Sequence, residues 1–286
     1  MKNIIILLRP HQYIKNLFIF APLFFSFHFK MGEILHSFFA FVLFSLIASS
    51  IYIFNDYMDI EEDKKHPTKK YRPLVSGAIS KQVAKVVFIS LSSVSLIISF
   101  LYNINLFYVL LMYFILNIAY SMKLKHISII DIFIIATGFV LRLFAGSSVL
   151  DIELSMWIII MTFLLALFLA LAKRRDDVLL SLQGKEIRKN IDGYNLEFVN
   201  ATMVLMSGVI IVSYILYTVS SEVIEKFNTH NLYISSVFII LGVVRYMQIT
   251  FVEQKSGSPT KIVLKDRFLQ IVILFWLISF FVIVRV

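Results

Sequence analysis

Long apolar stretches separated by short polar breaks run the length of this chain. They lie near residues 13 to 30, 34 to 54, 83 to 102, 104 to 122, 129 to 149, 154 to 172, 199 to 221, 232 to 252 and 267 to 286. Each is close to the ~20 residues a helix needs to cross a bilayer core. In lipid the backbone must satisfy its own hydrogen bonds, so an uninterrupted apolar run of that length predicts a helix. The pattern therefore predicts an all-α integral membrane protein with nine transmembrane helices. The polar breaks differ by side. KMGE, NIN, LDIE and the stretch 222–231 are short or weakly charged, whereas 55–82, 121–128, 173–198 and 253–266 are longer and charged. Function concentrates in long loops gathered on one face. No linker is long enough to divide the chain, so 1–286 reads as a single transmembrane domain. The second and sixth spans both end in a charged cluster and a long loop, which suggests two four-helix units followed by a ninth helix.

Composition supports the membrane assignment, since 59% of the 286 residues are hydrophobic against roughly 45 to 50% in soluble domains. The N-terminal MKNIIILLRPHQYIKN is interrupted by Arg9 and Pro10 with no small-residue cleavage site after it, so it reads as retained rather than as a signal peptide. Cysteine is absent, which excludes disulfides and thiolate metal sites. A net charge of +9 would suggest nucleic acid in a soluble protein; here the bases gather in the long loops. Lys2, Arg9 and Lys15, then Lys64, Lys65, Lys69, Lys70 and Arg72, then Lys123 and Lys125, then Lys173, Arg174 and Arg175 all fall on one side. By the positive-inside rule that side is cytoplasmic and the N-terminus with it; the expected location is an inner (plasma) membrane. The expected partners of these bases are membrane lipids and anionic substrates, with no nucleic acid.

The second span runs into NDYMDIEEDKKHPTKKYRP. If its helix continues past the membrane edge, Asn55, Asp59 and Asp63 fall at i, i+4 and i+8, with Asp56 one position off that face. Stacked carboxylates repel unless a cation lies between them, and hard oxygen ligands one turn apart suit Mg²⁺ with substrate phosphates completing its shell. Lys69 and Arg72 follow as candidate phosphate clamps, Arg72 able to act bidentately. A helix cap whose acids simply pair with nearby lysines is the plainer reading of the same residues. The Asn-Asp start, the four-residue spacing and the position at the end of a membrane helix favour a magnesium-diphosphate site.

Asn55-Asp56-x-x-Asp59-x-x-x-Asp63 followed by Arg72-Pro73-Leu74-x-Ser76-Gly77 resembles the first aspartate-rich motif of the UbiA superfamily of intramembrane prenyltransferases. RPHQYIKNLFIFAPL, HPTKKYRP, NIAYSMKLKHISIIDI, GFVLRLFAG and LAKRRDD are together similar to its decaprenyl-phosphate (polyprenyl-phosphate) phosphoribosyltransferase branch, over roughly the first two-thirds of the chain. The resemblance implies nine transmembrane helices around a central cavity with cytoplasmic-side loops capping the site. It also implies Mg²⁺-dependent transfer of 5-phosphoribose from phosphoribosyl diphosphate to a polyprenyl phosphate, with diphosphate released, for cell-envelope glycan precursors. On that pattern Asp56, Asp59 and Asp63 are the catalytic carboxylates, and Asn55, Asp59 and Asp63 the metal ligands. Lys15, Asn16, Tyr120, Lys125, Asp131, Arg188 and Tyr194 are implied as substrate-binding residues.

One departure carries weight. Where aromatic prenyltransferases of the superfamily have a second DxxxD motif, this chain has Lys173, Arg174, Arg175, Asp176 and Asp177. Bases there suit two phosphorylated substrates, with Lys173 and Arg174 holding the lipid phosphate. Arg142 lies over a dozen residues into a span, where a charge costs at least ~2.5 kcal/mol to insert, and it is expected to meet substrate or an acid. Two alternatives stay open. A prenyltransferase moving a prenyl group to an aromatic or other acceptor shares the first motif, and Asp176 and Asp177 remain available to a second metal. A transporter would carry its polar groups in broken helices near the midplane, whereas these cluster at helix ends on one face.

Overall fold

The computed structural model describes residues 2–27, 29–65, 69–183 and 193–285, and every regular element among them is helical. The chain opens with α1 (Lys2–Leu8), a 3₁₀ segment (Pro10–Phe20) and α2 (Ala21–Ser26). It continues through α3 (Met31–Met58), α4 (Ile60–Lys65), α5 (Lys81–Tyr102), α6 (Ile104–Met122) and α7 (Ile130–Leu150). These belong to one compact unit, Met1–Ser155. A second, Met156–Val286, holds α8 (Met156–Leu182), α9 (Leu196–Val219), α10 (Ser221–Phe227), α11 (Ser236–Phe251), α12 (Pro259–Lys265) and α13 (Arg267–Arg285).

Among the described residues eight helices are long and apolar enough to cross a membrane. They correspond to the second through ninth expected spans. The first expected span is not one helix: it divides into the 3₁₀ segment and α2. Its proline accounts for the break. Ala21 donates to Phe18 O, but Pro22 has no N–H with which to continue the ladder, and Phe27 then ends α2 in the left-handed region at φ 57°. The units hold four long helices each, α3, α5, α6 and α7 in one and α8, α9, α11 and α13 in the other. The odd element is thus at the N-terminus and not, as the charged-loop parallel suggested, at the C-terminus.

In the first unit α3 is the central helix. Lipid offers little hydrophobic drive for helix pairing, so close approach depends on small side chains and interhelical hydrogen bonds. α3 supplies both: Ser37, Ala40, Ser45, Ala48, Ser49 and Ser50 are buried, and Ser95 of α5 donates to Leu43 O at 2.8 Å. Leu43, Phe44, Ile47 and Ile51 pack with Leu106, Leu110 and Tyr113 of α6 and Leu141 and Ala145 of α7. Gly146 lets α7 lie against the 3₁₀ segment, where any Cβ would run into the Ile19 carbonyl. That segment is tied to α3 by Tyr13 OH to Ser49 Oγ at 2.8 Å and Asn16 Nδ2 to Ser45 Oγ at 2.9 Å, and the end of α1 by Ser49 Oγ to Leu8 O at 2.9 Å.

Helix starts follow local chemistry. Asn103 caps α6 by accepting from Leu106 N–H at 2.9 Å, Asn195 caps α9 through Phe198 N–H at 2.7 Å, and Asp266 holds the start of α13 through Leu269 N–H at 2.9 Å. In the second unit Tyr214 of α9 is the polar junction: its hydroxyl meets Ser235 Oγ and accepts from Trp276 Nε1, both at 2.8 Å.

Candidate active site

The acidic cluster sits at the end of α3, above a small apolar base made of Leu7, Ile53, Ile60, Leu74, Ile79 and Ala84. Leu74 fixes the loop that follows the acids. Ile79 N–H donates to Pro73 O and Ser76 N–H to Arg72 O, closing a turn in which Gly77 takes φ 77°. That left-handed position suits glycine. The RPLVSG stretch is therefore a rigid turn that delivers Arg72 to the acids.

The helix does not run unbroken through the cluster. α3 ends at Met58, Asp59 leaves helical geometry at φ −94°, ψ 6°, and α4 begins at Ile60, although Asp59 N–H still reaches Asn55 O and Asp63 N–H reaches Asp59 O. The side chains of the cluster group in pairs. Asn55 Nδ2 donates to Asp59 Oδ2 at 2.9 Å. Asp56 and Asp63, two turns apart, share Arg72, whose Nη1 donates to Asp56 Oδ1 at 2.9 Å and to Asp63 Oδ2.

Each carboxylate is met by further bases. Arg9 donates to Asp56 Oδ1, Lys125 to Asp59 Oδ1, and Lys69 Nζ lies 3.8 Å from Asp63 Oδ1. Asp56 and Asp63 are almost wholly buried, at 1% and 2% exposure, so these contacts are what make their charge tolerable. Burial still raises the Asp63 carboxyl above its ordinary value, with Arg72 and Lys69 opposing the shift.

Arg9 was not among the expected site residues. It is held at φ 54°, ψ 56°, directly before Pro10. Residues preceding proline favour extended backbone, and a left-handed non-glycine residue costs of order 1–3 kcal/mol. Its guanidinium lies 5.3 Å from the Tyr52 ring centroid and ends on Asp56. The available signal was an Arg-Pro pair in the RPHQYIKN motif, which charge counting assigned to topology alone.

The other expected residues of this unit divide by environment. Asn16 is buried, and its Oδ1 accepts from Arg142 Nε at 2.8 Å. Arg142 also donates to Gly138 O at 2.6 Å and reaches Tyr113 OH at 3.4 Å. The Phe44, Phe139 and Tyr113 rings surround its guanidinium at 4.8, 5.2 and 5.3 Å. The acid expected beside Arg142 is not there: its partners among the described residues are an amide, a backbone carbonyl, a phenol and three ring faces. A delocalised guanidinium suits such a cage, being weakly hydrated and attracted by aromatic faces. Lys15, one residue before Asn16, makes no ion pair among the described residues. Tyr120 is half-buried near the end of α6, and Asp131 is fully buried in the first turn of α7.

In the second unit Lys173 to Asp177 lie in the C-terminal part of α8, which runs on to Leu182. Arg174 is 1% exposed and donates to Asp177 Oδ2 one turn on. Arg175 donates to Asn200 Oδ1 at 2.8 Å and Thr250 O at 2.7 Å and lies over Phe251 at 4.8 Å, joining α8 to α9 and α11. Asp176 makes no hydrogen bond or ion pair with a described residue, and Gly257 presses against its carboxylate so closely that a Cβ there would overlap it. Tyr194 is buried near Phe198. Arg188 lies outside the described residues.

The oxygen donors of the first unit, three carboxylates and the Asn55 amide, are the hard ligands a small divalent cation takes. Among the described residues no three acidic or imidazole groups converge to hold an ion, since each carboxylate oxygen set is engaged by a base. The donor set fits such a cation in its chemistry once those bases are drawn off.

Comparison with known proteins bears on this geometry. The model of the UbiA prenyltransferase family matches residues 18–181. A decaprenyl-phosphate phosphoribosyltransferase of Mycolicibacterium smegmatis is 33% identical over 281 residues, covering 94% of this chain and 88% of that protein. One from Corynebacterium glutamicum is 31% identical over 277 residues, covering 94% and 82%. Among solved structures, a UbiA homologue from Archaeoglobus fulgidus bound to DMAPP and Mg²⁺ shares the fold with a TM-score of 0.72 at 20% identity, over 99% of both chains.

Proposed function

This chain belongs to the UbiA prenyltransferase family, and on that premise we propose that it transfers 5-phosphoribose from phosphoribosyl diphosphate to a polyprenyl phosphate and releases diphosphate. The observation that carries the choice of donor is Lys173-Arg174-Arg175-Asp176-Asp177 at the end of α8, where three bases precede the acids. Two phosphorylated substrates bring more negative charge than one prenyl diphosphate, and bases answer it. The relatives named for this activity, similar over 94% of the chain, support the same reading.

In the proposed reaction the bond from C1 of the ribose to the diphosphate oxygen breaks and a bond from C1 to the lipid phosphate oxygen forms on the opposite face, inverting that carbon. The acceptor phosphate is already ionised, so the step needs no general base. Asn55, Asp59 and Asp63 are the proposed ligands of Mg²⁺, which when bound supplies positive charge to the leaving diphosphate. Asp56 orients Arg9 and Arg72 beside them. Lys69, Arg72, Lys15 and Lys125 hold phosphate oxygens, and Lys173 and Arg174 hold the lipid phosphate. Tyr120, Asp131, Arg188 and Tyr194 complete the substrate contacts, and Asn16 and Arg142 set the backbone from which Lys15 projects.

The proposal treats 1–286 as one UbiA-type domain and counts the 3₁₀ segment with α2 as the first of nine membrane elements. It places the N-terminus and the charged loops in the cytoplasm at an inner membrane, with product serving envelope glycans. The second reading, prenyl transfer to another acceptor, draws support from Asp176, whose carboxylate feels Lys173 and Arg175 as nearby charges and is available to a second metal. The two separate in one experiment. Purified protein with Mg²⁺ receives polyprenyl phosphate plus phosphoribosyl diphosphate in one tube, and prenyl diphosphate plus an aromatic acceptor in another. Mass spectrometry is expected to find phosphoribosylated lipid in the first; product confined to the second overturns the proposal.

A further inference from the structure

Three carboxylates in the acidic cluster, Asp56, Asp59 and Asp63, face four bases, Arg9, Lys69, Arg72 and Lys125. If all are ionised the group carries a net +1. The bases come from three separate places in the sequence, the Arg9-Pro10 junction, the loop after α4 and the turn before α7, and each ends on a carboxylate. Each of the three carboxylates thus has at least one oxygen turned toward a base, and each of these four bases is turned toward a carboxylate.

We propose that these bases are exchangeable counter-ions: when a divalent cation reaches the carboxylates, Arg9, Arg72, Lys69 and Lys125 transfer to the diphosphate oxygens, so cation and diphosphate bind only as a mutually dependent pair. The inference rests on the metal-diphosphate reading above and adds Arg9 to the groups that contact the leaving diphosphate. Charge decides the matter. A divalent cation alone would raise the cluster to +3 with four bases beside it and no anion to receive them. Diphosphate alone would find its donors engaged and three carboxylates exposed to it by their removal. Together the two additions nearly cancel, and each released base gains an anionic oxygen in place of the one it leaves. The same contacts keep Asp56 and Asp63 paired, despite their burial, before substrate arrives.

The coupling is reciprocal, so one factor must appear in both affinities. Full-length protein in detergent is titrated with Mn²⁺, read by electron paramagnetic resonance, and with inorganic diphosphate, read by calorimetry, each alone and in the presence of the other, at free concentrations corrected for their complex in solution. The expected result is weak binding of either alone and a tightening of at least about tenfold by its companion. Removing one neighbouring unit charge should exceed that in a low-dielectric site and fall to about that value where water screens it. Lys125→Met and Arg9→Met should each tighten Mn²⁺ binding about tenfold without diphosphate and shrink the coupling, with a cooperative thermal unfolding transition as the control for folding. Either variant alone suffices if the other does not fold. Mn²⁺ that binds the wild type fully without diphosphate, is lost in Asp59→Asn and is unaffected by Lys125→Met or Arg9→Met overturns the exchange and leaves the metal reading in place. Mn²⁺ that binds under neither condition overturns both.

Discussion

Replacing Asn16 by leucine should loosen the N-terminal segment through a charge buried on another helix. Asn16 Oδ1 accepts from Arg142 Nε at 2.8 Å, and its Nδ2 donates to Ser45 Oγ at 2.9 Å. A hydrogen bond to a charged group contributes roughly 1.5–3 kcal/mol and a neutral one roughly 0.5–1.5, while leucine recovers part of this by burying apolar surface. The aromatic cage at 4.8 to 5.3 Å continues to hold the guanidinium, which limits the damage. A net loss of about 2–4 kcal/mol is expected, or a fall in melting temperature of roughly 5–10 °C for a chain of this size. Arg142→Met should cost a similar amount. In the double variant no guanidinium is left without an acceptor, so the two losses should fall short of adding by about 1–2 kcal/mol. Thermal unfolding of the four proteins in one detergent measures this. Strict additivity would refute the structural coupling. A rise in KM for Arg142→Met with unchanged melting would restore Arg142 to direct substrate contact.

Asp59→Asn should lower turnover at least about a hundredfold with melting unchanged, since it weakens a proposed metal ligand; activity retained at saturating Mg²⁺ would remove Asp59 from that role. Gly146→Ala should destabilise the first unit by about 1–3 kcal/mol, because the new Cβ meets the Ile19 carbonyl, and unfolding at the wild-type temperature would contradict the close approach. Asp266 is held below the ordinary carboxylate value by Arg245 and by the Leu269 N–H. Its contribution to stability is therefore complete above the unfolded value near ~3.9 and lost as pH falls through the lower folded value. The melting difference between wild type and Asp266→Asn should close on acidification from pH 6, and a constant difference would show that the ion pair does not matter.

The long helices were legible because an uninterrupted apolar run in lipid has one backbone solution. The first span reads as one helix because hydropathy does not register what Pro22 does to the ladder. The acidic motif and its bases were legible from spacing and charge. Their pairing was not: Asp56 and Asp63, seven residues apart and so near one helix face, share Arg72, a partner that spacing alone does not single out. The depth of Arg142 in its span identified it as costly, but its partners Asn16, Tyr113 and Phe44 come from three other segments and no local pattern announces them. Arg9 shows the same limit. A base near an N-terminus satisfies the positive-inside rule, and only the tertiary fold reveals that it ends on Asp56.

The donor is defined by the carbon that the diphosphate leaves. The direct measurement follows diphosphate released by purified protein from phosphoribosyl diphosphate, with and without polyprenyl phosphate, in Mg²⁺. Release should require the lipid phosphate and be matched mole for mole by phosphoribosylated lipid. No release from phosphoribosyl diphosphate under any condition, with release from a prenyl diphosphate when an aromatic acceptor is supplied, would contradict phosphoribosyl transfer.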